Sequence, residues 1–131
     1  MKNNSNSSIF RNAIAGATSA LADKSQKSVI FSNIDSVSAI NDQIQLPFPH
    51  IDMKKTDLGN YRGAADSAAL WMKYHNSSIH DAHIPKEPKS QEIFESCERS
   101  RIDSLGAQRM KGVAFNLNEY LSHQLDLENI K

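Results

Sequence analysis

The sequence of 131 residues contains few cysteines, no long apolar run and no excess of charge of one sign, and each of these absences excludes a class of protein. Its single cysteine, Cys97, excludes a disulfide framework and a cysteine-rich zinc site, and a free thiol fits a reducing cytosol. No run approaches the roughly 18 apolar residues that a membrane helix requires. Basic and acidic residues number 15 each, so no charge excess favours a nucleic acid or a membrane surface as a partner. We therefore expect a cytoplasmic protein.

Common catalytic signatures are also missing from the chain. It contains no GxxxxGK[ST] phosphate loop, no GxGxxG turn, no HExxH and no CxxC pair. Asp35 does not begin a DxSxS adhesion motif, because Val37 and Ala39 occupy the two serine positions. We predict no catalytic residue and no cofactor bound by this chain, which should not hydrolyse ATP by itself.

The composition is that of a globular domain, with 39% apolar and 23% charged residues. Apolar periodicity predicts a mainly α-helical domain with about four helices and a small β-hairpin near the N-terminus. The hairpin rests on a β-branched run around Ile30 and on the alternation of polar and apolar residues at 43–46. The predicted parts are a disordered polar tail at 1–8 and a single domain at 9–131, with a helix at 9–23, the hairpin at 28–46, a proline-rich spacer at 47–55 and helices at 57–83, 90–105 and 109–126.

Three histidines follow one another near the end of the predicted helix 57–83. His80 and His83 are three residues apart, a helical spacing at which two imidazoles can share a metal, and they are the weak candidates for a metal site. His75 would be rotated by about 140° from His80 in a continuous helix. His75 also continues the apolar stripe, which indicates a hydrogen-bonded core residue, and His83 suits the negative end of a helix dipole.

Two stretches resemble the CobT subunit of aerobic cobaltochelatase, in its amino-terminal helical domain. The first is RGAADSAALWMKYHNSSIH at 62–80, and the second is IFESCERSRIDSLGAQRMKGVAFNL at 93–117. The matching positions are Arg62, Gly63, Asp66, Ala69, Leu70, His75 and His80 in the first stretch, and Ile93, Phe94, Glu98, Arg101, Gly106, Arg109, Met110, Gly112, Val113, Asn116 and Leu117 in the second.

The resemblance implies a role in cobalamin biosynthesis, in which an ATP-dependent complex inserts cobalt into hydrogenobyrinic acid a,c-diamide. Such a complex would use ATP, magnesium and cobalt, with chelation in the large CobN subunit and ATP hydrolysis in the AAA+ subunit CobS. Full-length members continue into an acidic linker and a von Willebrand A-type domain, which we expect this chain to lack. We expect a truncated, non-catalytic assembly module that contacts these subunits or a second copy of itself.

Seven polar residues of the two stretches are the candidates for a partner interface: Arg62, Asp66, His75, Glu98, Arg101, Arg109 and Asn116. Mixed charges on helices also form ordinary solvated faces, so the sequence leaves both interpretations open. Two further functions stay open as well. One is a metal-handling domain that uses its histidines, and the other is a stand-alone helical scaffold whose chelatase role has decayed.

Overall fold

The computed structural model describes residues 2–50 and 52–129. Met1, Ile51, Ile130 and Lys131, which fall within the predicted tail, spacer and domain, lie outside the described residues. The described part contains five α-helices, a one-turn 3-10 helix and three short strands. The predicted class, mainly helical with a small sheet near the N-terminus, is confirmed. None of the described helices is long and apolar enough to cross a membrane.

Helix α1 (Lys2–Ala22) begins earlier than predicted. The polar segment predicted as a disordered tail is the first part of this helix, because extending a helix that is already formed costs less than starting one. Ile14 and Leu21 bury the apolar side of the helix. Asp23 ends it in the left-handed conformation (φ 58°), and the amide of Lys24 donates to the carbonyl of Ser19, as in a Schellman cap.

The sheet contains β1 (Val29–Ser32), β2 (Ser38–Ile40) and β3 (Gln43–Pro47) in the order β1-β3-β2. The predicted hairpin is wrong in its pairing, because β1 runs parallel to β3 while the antiparallel partner of β3 is β2. Asn41 and Asp42 both have positive φ, the conformation of the tight I′ turns that join hairpin strands. The predicted alternation in β3 is confirmed, since Ile44 and Leu46 are fully buried.

The predicted helix 57–83 consists of two helices, α2 (Lys55–Tyr74) and α3 (Ser77–His83). Asn76 separates them, and its side chain accepts a hydrogen bond from the amide of Ile79 (3.1 Å), which caps the start of α3. An asparagine at this position gives the chain a local alternative to continuing the helix.

The last two helices are α4 (Pro88–Arg109) and α5 (Lys111–Asn129). Pro88 stands in the first turn of α4, where its missing N–H removes no hydrogen bond. The predicted end of this helix at residue 105 is wrong, because α4 passes through Gly106 and ends at Arg109. Gly106 lies against Leu70 of α2, so its lack of a side chain serves close packing.

Helix α2 lies at the centre of the fold and packs against α1, α4 and α5. Its small residues Ala65 and Ala69 let the neighbouring helices approach, and Leu70 fills the space between them. The hydroxyl of Tyr61 donates to the carbonyl of Pro47 (2.7 Å), which ties α2 to the end of β3. The main core is completed by Ile102 of α4 and by Val113 and Leu117 of α5.

Candidate interaction site

The break between α2 and α3 brings His75 and His80 together. The ring of His75 stacks on the indole of Trp71 with centroids 4.0 Å apart, and the ring of His80 stands edge-on to His75 at 4.8 Å. A rotation of 140° would have separated these two residues in one continuous helix, so the predicted separation is wrong. The chain turns at Asn76 instead, and α3 carries His80 back over the end of α2.

The candidate metal pair, His80 and His83, makes separate contacts. Nε2 of His80 lies 2.7 Å from a carboxylate oxygen of Glu95, and its buried Nδ1 has no hydrogen-bond partner within the described residues. His83 is exposed, and its Nδ1 lies 2.8 Å from the carbonyl of Ile79. Across residues 2–50 and 52–129, no three side chains of His, Cys, Asp or Glu are grouped closely enough to hold a metal ion.

Glu98 is the centre of an ionic network that joins α2 to α4. The guanidinium of Arg101 donates two hydrogen bonds to its carboxylate, at 2.9 and 2.7 Å, and Nδ1 of His75 lies 3.3 Å away. The hydrogen bonds from Arg101 are the main reason that the pKa of Glu98 is lowered from 4.5 to about 2. Three of the seven interface candidates are therefore bonded to one another within the chain.

We expect the change Glu98→Gln to lower the free energy of unfolding near neutral pH by about 1 kcal/mol, a small value because Arg101 is half exposed. The unfolded chain takes up a proton near pH 4.5, whereas folded Glu98 resists protonation down to about pH 2. This contribution is thus present above pH 4.5 and is lost as the pH falls towards 2.

Urea denaturation at several pH values measures this effect. The difference between wild type and Glu98→Gln should shrink steadily between pH 4.5 and 2. Glu92→Gln, on the exposed side of the same helix, is the matched control and should change little at any pH. A difference that stayed constant down to pH 2 would show that the ion pair contributes nothing to stability.

A second pair of candidates, Asp66 and Asn116, joins α2 to α5. Asp66 is buried, and the side-chain amide of Asn116 donates a 2.9 Å hydrogen bond to its carboxylate. Burial raises the pKa of Asp66, and this shift is opposed by that hydrogen bond and by the charge of Arg62. The remaining candidate, Arg109, has its guanidinium carbon 5.6 Å from the ring centre of Tyr74. Arg62, Arg101 and Arg109 are exposed, and their role towards a partner stays a prediction.

Sequence reasoning missed a cleft of about 680 Å³ that is lined by α2. One wall is the segment 35–39, between β1 and the end of β2, and another wall is the last part of α5. The floor is the face of α2 that carries residues at helical spacing: Asp57, Asn60, Tyr61, Ala64, Ser67, Ala68 and Trp71. Because these walls come from distant parts of the chain, the sequence shows only the helical spacing of the lining residues on α2.

A polar contact between α2 and α4 forms part of the lining of the cleft. The buried hydroxyl of Ser67 donates to Asp103 (3.0 Å), and Arg99 donates to both the carbonyl and the hydroxyl of Ser67 (3.2 and 3.1 Å). The guanidinium carbon of Arg99 also lies 4.3 Å from the ring centre of Trp71. Burial raises the pKa of Asp103. These contacts link α2 to α4 beside the cleft.

Comparison with known proteins identifies the family. No solved structure matches the chain. The family model described as "Cobalamin biosynthesis protein CobT" matches residues 4–131, which includes both stretches quoted above and all seven candidate interface residues. The chain therefore belongs to the CobT family of cobalamin biosynthesis proteins.

Proposed function

We propose that the chain is a non-catalytic assembly module of the aerobic, ATP-dependent cobaltochelatase, which inserts cobalt into hydrogenobyrinic acid a,c-diamide. Its membership of the CobT family supports a role in cobalamin biosynthesis. In this proposal cobalt is the substrate of the complex, and ATP and magnesium belong to the AAA+ subunit CobS. The large subunit CobN carries out the chelation.

One observation carries the assembly role: large apolar side chains of the outer helices stay exposed while the polar side chains of the two stretches contact each other. Ile79 is 60% exposed, Ile93 is 66% exposed and Leu125 is 58% exposed. Asp66 and Asn116, by contrast, bond to each other between α2 and α5, and Glu98 bonds to Arg101 within α4 and lies 3.3 Å from Nδ1 of His75 at the end of α2. A surface that leaves several large aliphatic side chains in water while neighbouring polar groups are paired favours protein contacts.

Co-purification tests the proposal. The chain should form a complex with the AAA+ subunit at micromolar concentration, measured by size-exclusion chromatography with light scattering, and CobN should join this complex. An unrelated AAA+ ring of similar size is the control. Absence of a complex at micromolar concentration argues against an assembly module. Hydrolysis of ATP, or insertion of cobalt into the corrin, by the purified chain alone would contradict the non-catalytic role.

A further inference from the structure

The cleft on α2 has an apolar lining whose residues are only partly covered. The side chains of Ala64 and Ala68 are small and leave space on the α2 side of the cleft, and Trp71 and Tyr61 add aromatic surface. On the α5 wall, Leu121 is 53% exposed and Leu127 is 49% exposed. At about 680 Å³ the cleft is within the range of about 300 to 1,000 Å³ that is usual for binding pockets.

The charged groups of the cleft are mainly acidic. Oδ1 of Asn60 is buried and has no hydrogen-bond partner within the described residues. Three carboxylates line the cleft, from Asp35, Asp57 and Asp103, against one permanent cation, Arg99. Arg99 already donates to Ser67, and the other titratable lining groups are His123, Tyr61 and Tyr120. An occupant that fits this lining brings hydrogen-bond donors and a positive charge.

The exposed apolar surface of α5 extends beyond the cleft, and an occupant that covers this whole surface must be larger than the cleft itself. Leu125 belongs to the same end of α5 as Leu121 and Leu127 and is exposed, but it does not line the cleft. A small cation in the cleft would leave Leu125 in water. A helix that lies along α2 and α5 covers both surfaces, in the manner of a helix in a groove.

We propose that this cleft is the docking site for an amphipathic helix of a protein partner, which inserts an apolar face and one arginine or lysine side chain. The basic side chain reaches Asn60 and the carboxylates of Asp57 and Asp103, and the apolar face covers Trp71 and the leucines of α5. This inference rests on the proposed function, because it names the surface through which the assembly module holds its partner.

Two cleft variants and one control variant test the site against the AAA+ subunit. Ala64→Phe fills the floor, and Leu121→Asp places a charge on the exposed wall. Ile9→Asp puts the same charge on an exposed position of α1 outside the cleft. Each of the two cleft variants should weaken binding by about tenfold or more, as expected at the centre of an interface, while Ile9→Asp leaves binding unchanged. Unchanged urea midpoints show that the variants are folded.

A peptide probe tests the chemistry of the occupant without the AAA+ subunit. The probe is a synthetic amphipathic helix with a leucine face that carries one arginine, and a second peptide has glutamate at that position. Trp71, the only tryptophan of the chain, lines the cleft and reports binding by its fluorescence. The arginine peptide should bind about tenfold more tightly than the glutamate peptide, and Ala64→Phe should abolish the response.

The outcomes separate this inference from the proposed function. If the AAA+ subunit binds equally well to wild type and to both cleft variants, the docking site is wrong and the assembly role stands. If the AAA+ subunit does not bind but the arginine peptide does, the docking site stands and the proposed function fails. If neither binds, both are overturned. If the two peptides bind equally well, the inference that the occupant carries a positive charge is wrong.

Discussion

Replacing Gly63 with valine is expected to lower the free energy of unfolding by about 3 kcal/mol or more, the upper part of the range for overpacked cores. Gly63 is buried where α2 crosses α5, and a Cβ atom there would overlap the backbone carbonyl of Asn116 and lie 2.5 Å from Cβ of Tyr120. A backbone carbonyl inside a helix cannot move aside without displacing α5. The change therefore separates the two helices that bury Asp66 and Leu117.

Gly63→Ala should be destabilising as well, by about 1 to 2 kcal/mol, although alanine normally stabilises a helix interior relative to glycine by about 1 kcal/mol. Gly112→Ala is the matched control, because a Cβ atom at Gly112 would meet nothing within 4 Å. That control should be neutral or slightly stabilising. Urea denaturation followed by far-ultraviolet circular dichroism measures all three variants. If Gly63→Val were as stable as wild type, α2 and α5 could not be packed as closely as the structure shows.

The sequence predicted individual elements better than the way they pair. Residues 43–46 form a strand because their alternation of polar and apolar residues needs only one buried face. The direction of pairing depends on the whole segment between the strands, and the strand around Ala39 is too short and too exposed to show a pattern. The predicted hairpin between β1 and β3 is therefore wrong, because β2, which lies between them in the sequence, is the antiparallel partner of β3.

Helix ends show the same division between local pattern and packing. The apolar stripe through Met72, His75 and Ile79 continues across the break at Asn76, so periodicity alone joins α2 and α3. The opposite error occurs at Gly106, because the helix predicted to end at residue 105 continues through this glycine, which lies against Leu70. In both cases a single residue decides the outcome through a contact that the sequence does not display.

The candidate residues came from a resemblance, and their pairing became visible only in three dimensions. Asp66 and Asn116 are 50 positions apart, and His75 and Glu98 are 23 apart, so no local spacing joins them. The resemblance identified residues that hold α2, α4 and α5 together. It gave no indication of the cleft, because none of the seven candidate residues lines it.

The contact between Gly106 and Leu70 predicts a second large effect, which is a non-additive change in the free energy of unfolding when both residues are replaced. Leu70 is 1% exposed, and Leu70→Ala should lower the free energy of unfolding by about 2 to 5 kcal/mol. Gly106→Ala alone should lower it by about 1 to 2 kcal/mol, because the added methyl would lie 2.6 Å from Cδ2 of Leu70, a buried side chain with no free space.

The loss in the free energy of unfolding of the double variant should be about 2 kcal/mol smaller than the sum of the losses of the two single variants, within the range for residues in contact. Once Leu70 is shortened, the methyl of Ala at position 106 occupies part of the space that leucine has left, and the helix propensity of alanine adds to stability. A cycle of urea denaturations on the four proteins measures this coupling. Gly112→Ala combined with Leu70→Ala is the control and should be additive, since Gly112 is in open space. Additivity in the Gly106 cycle would mean that Leu70 is not what excludes a side chain at position 106, and that α2 and α4 do not meet there as described.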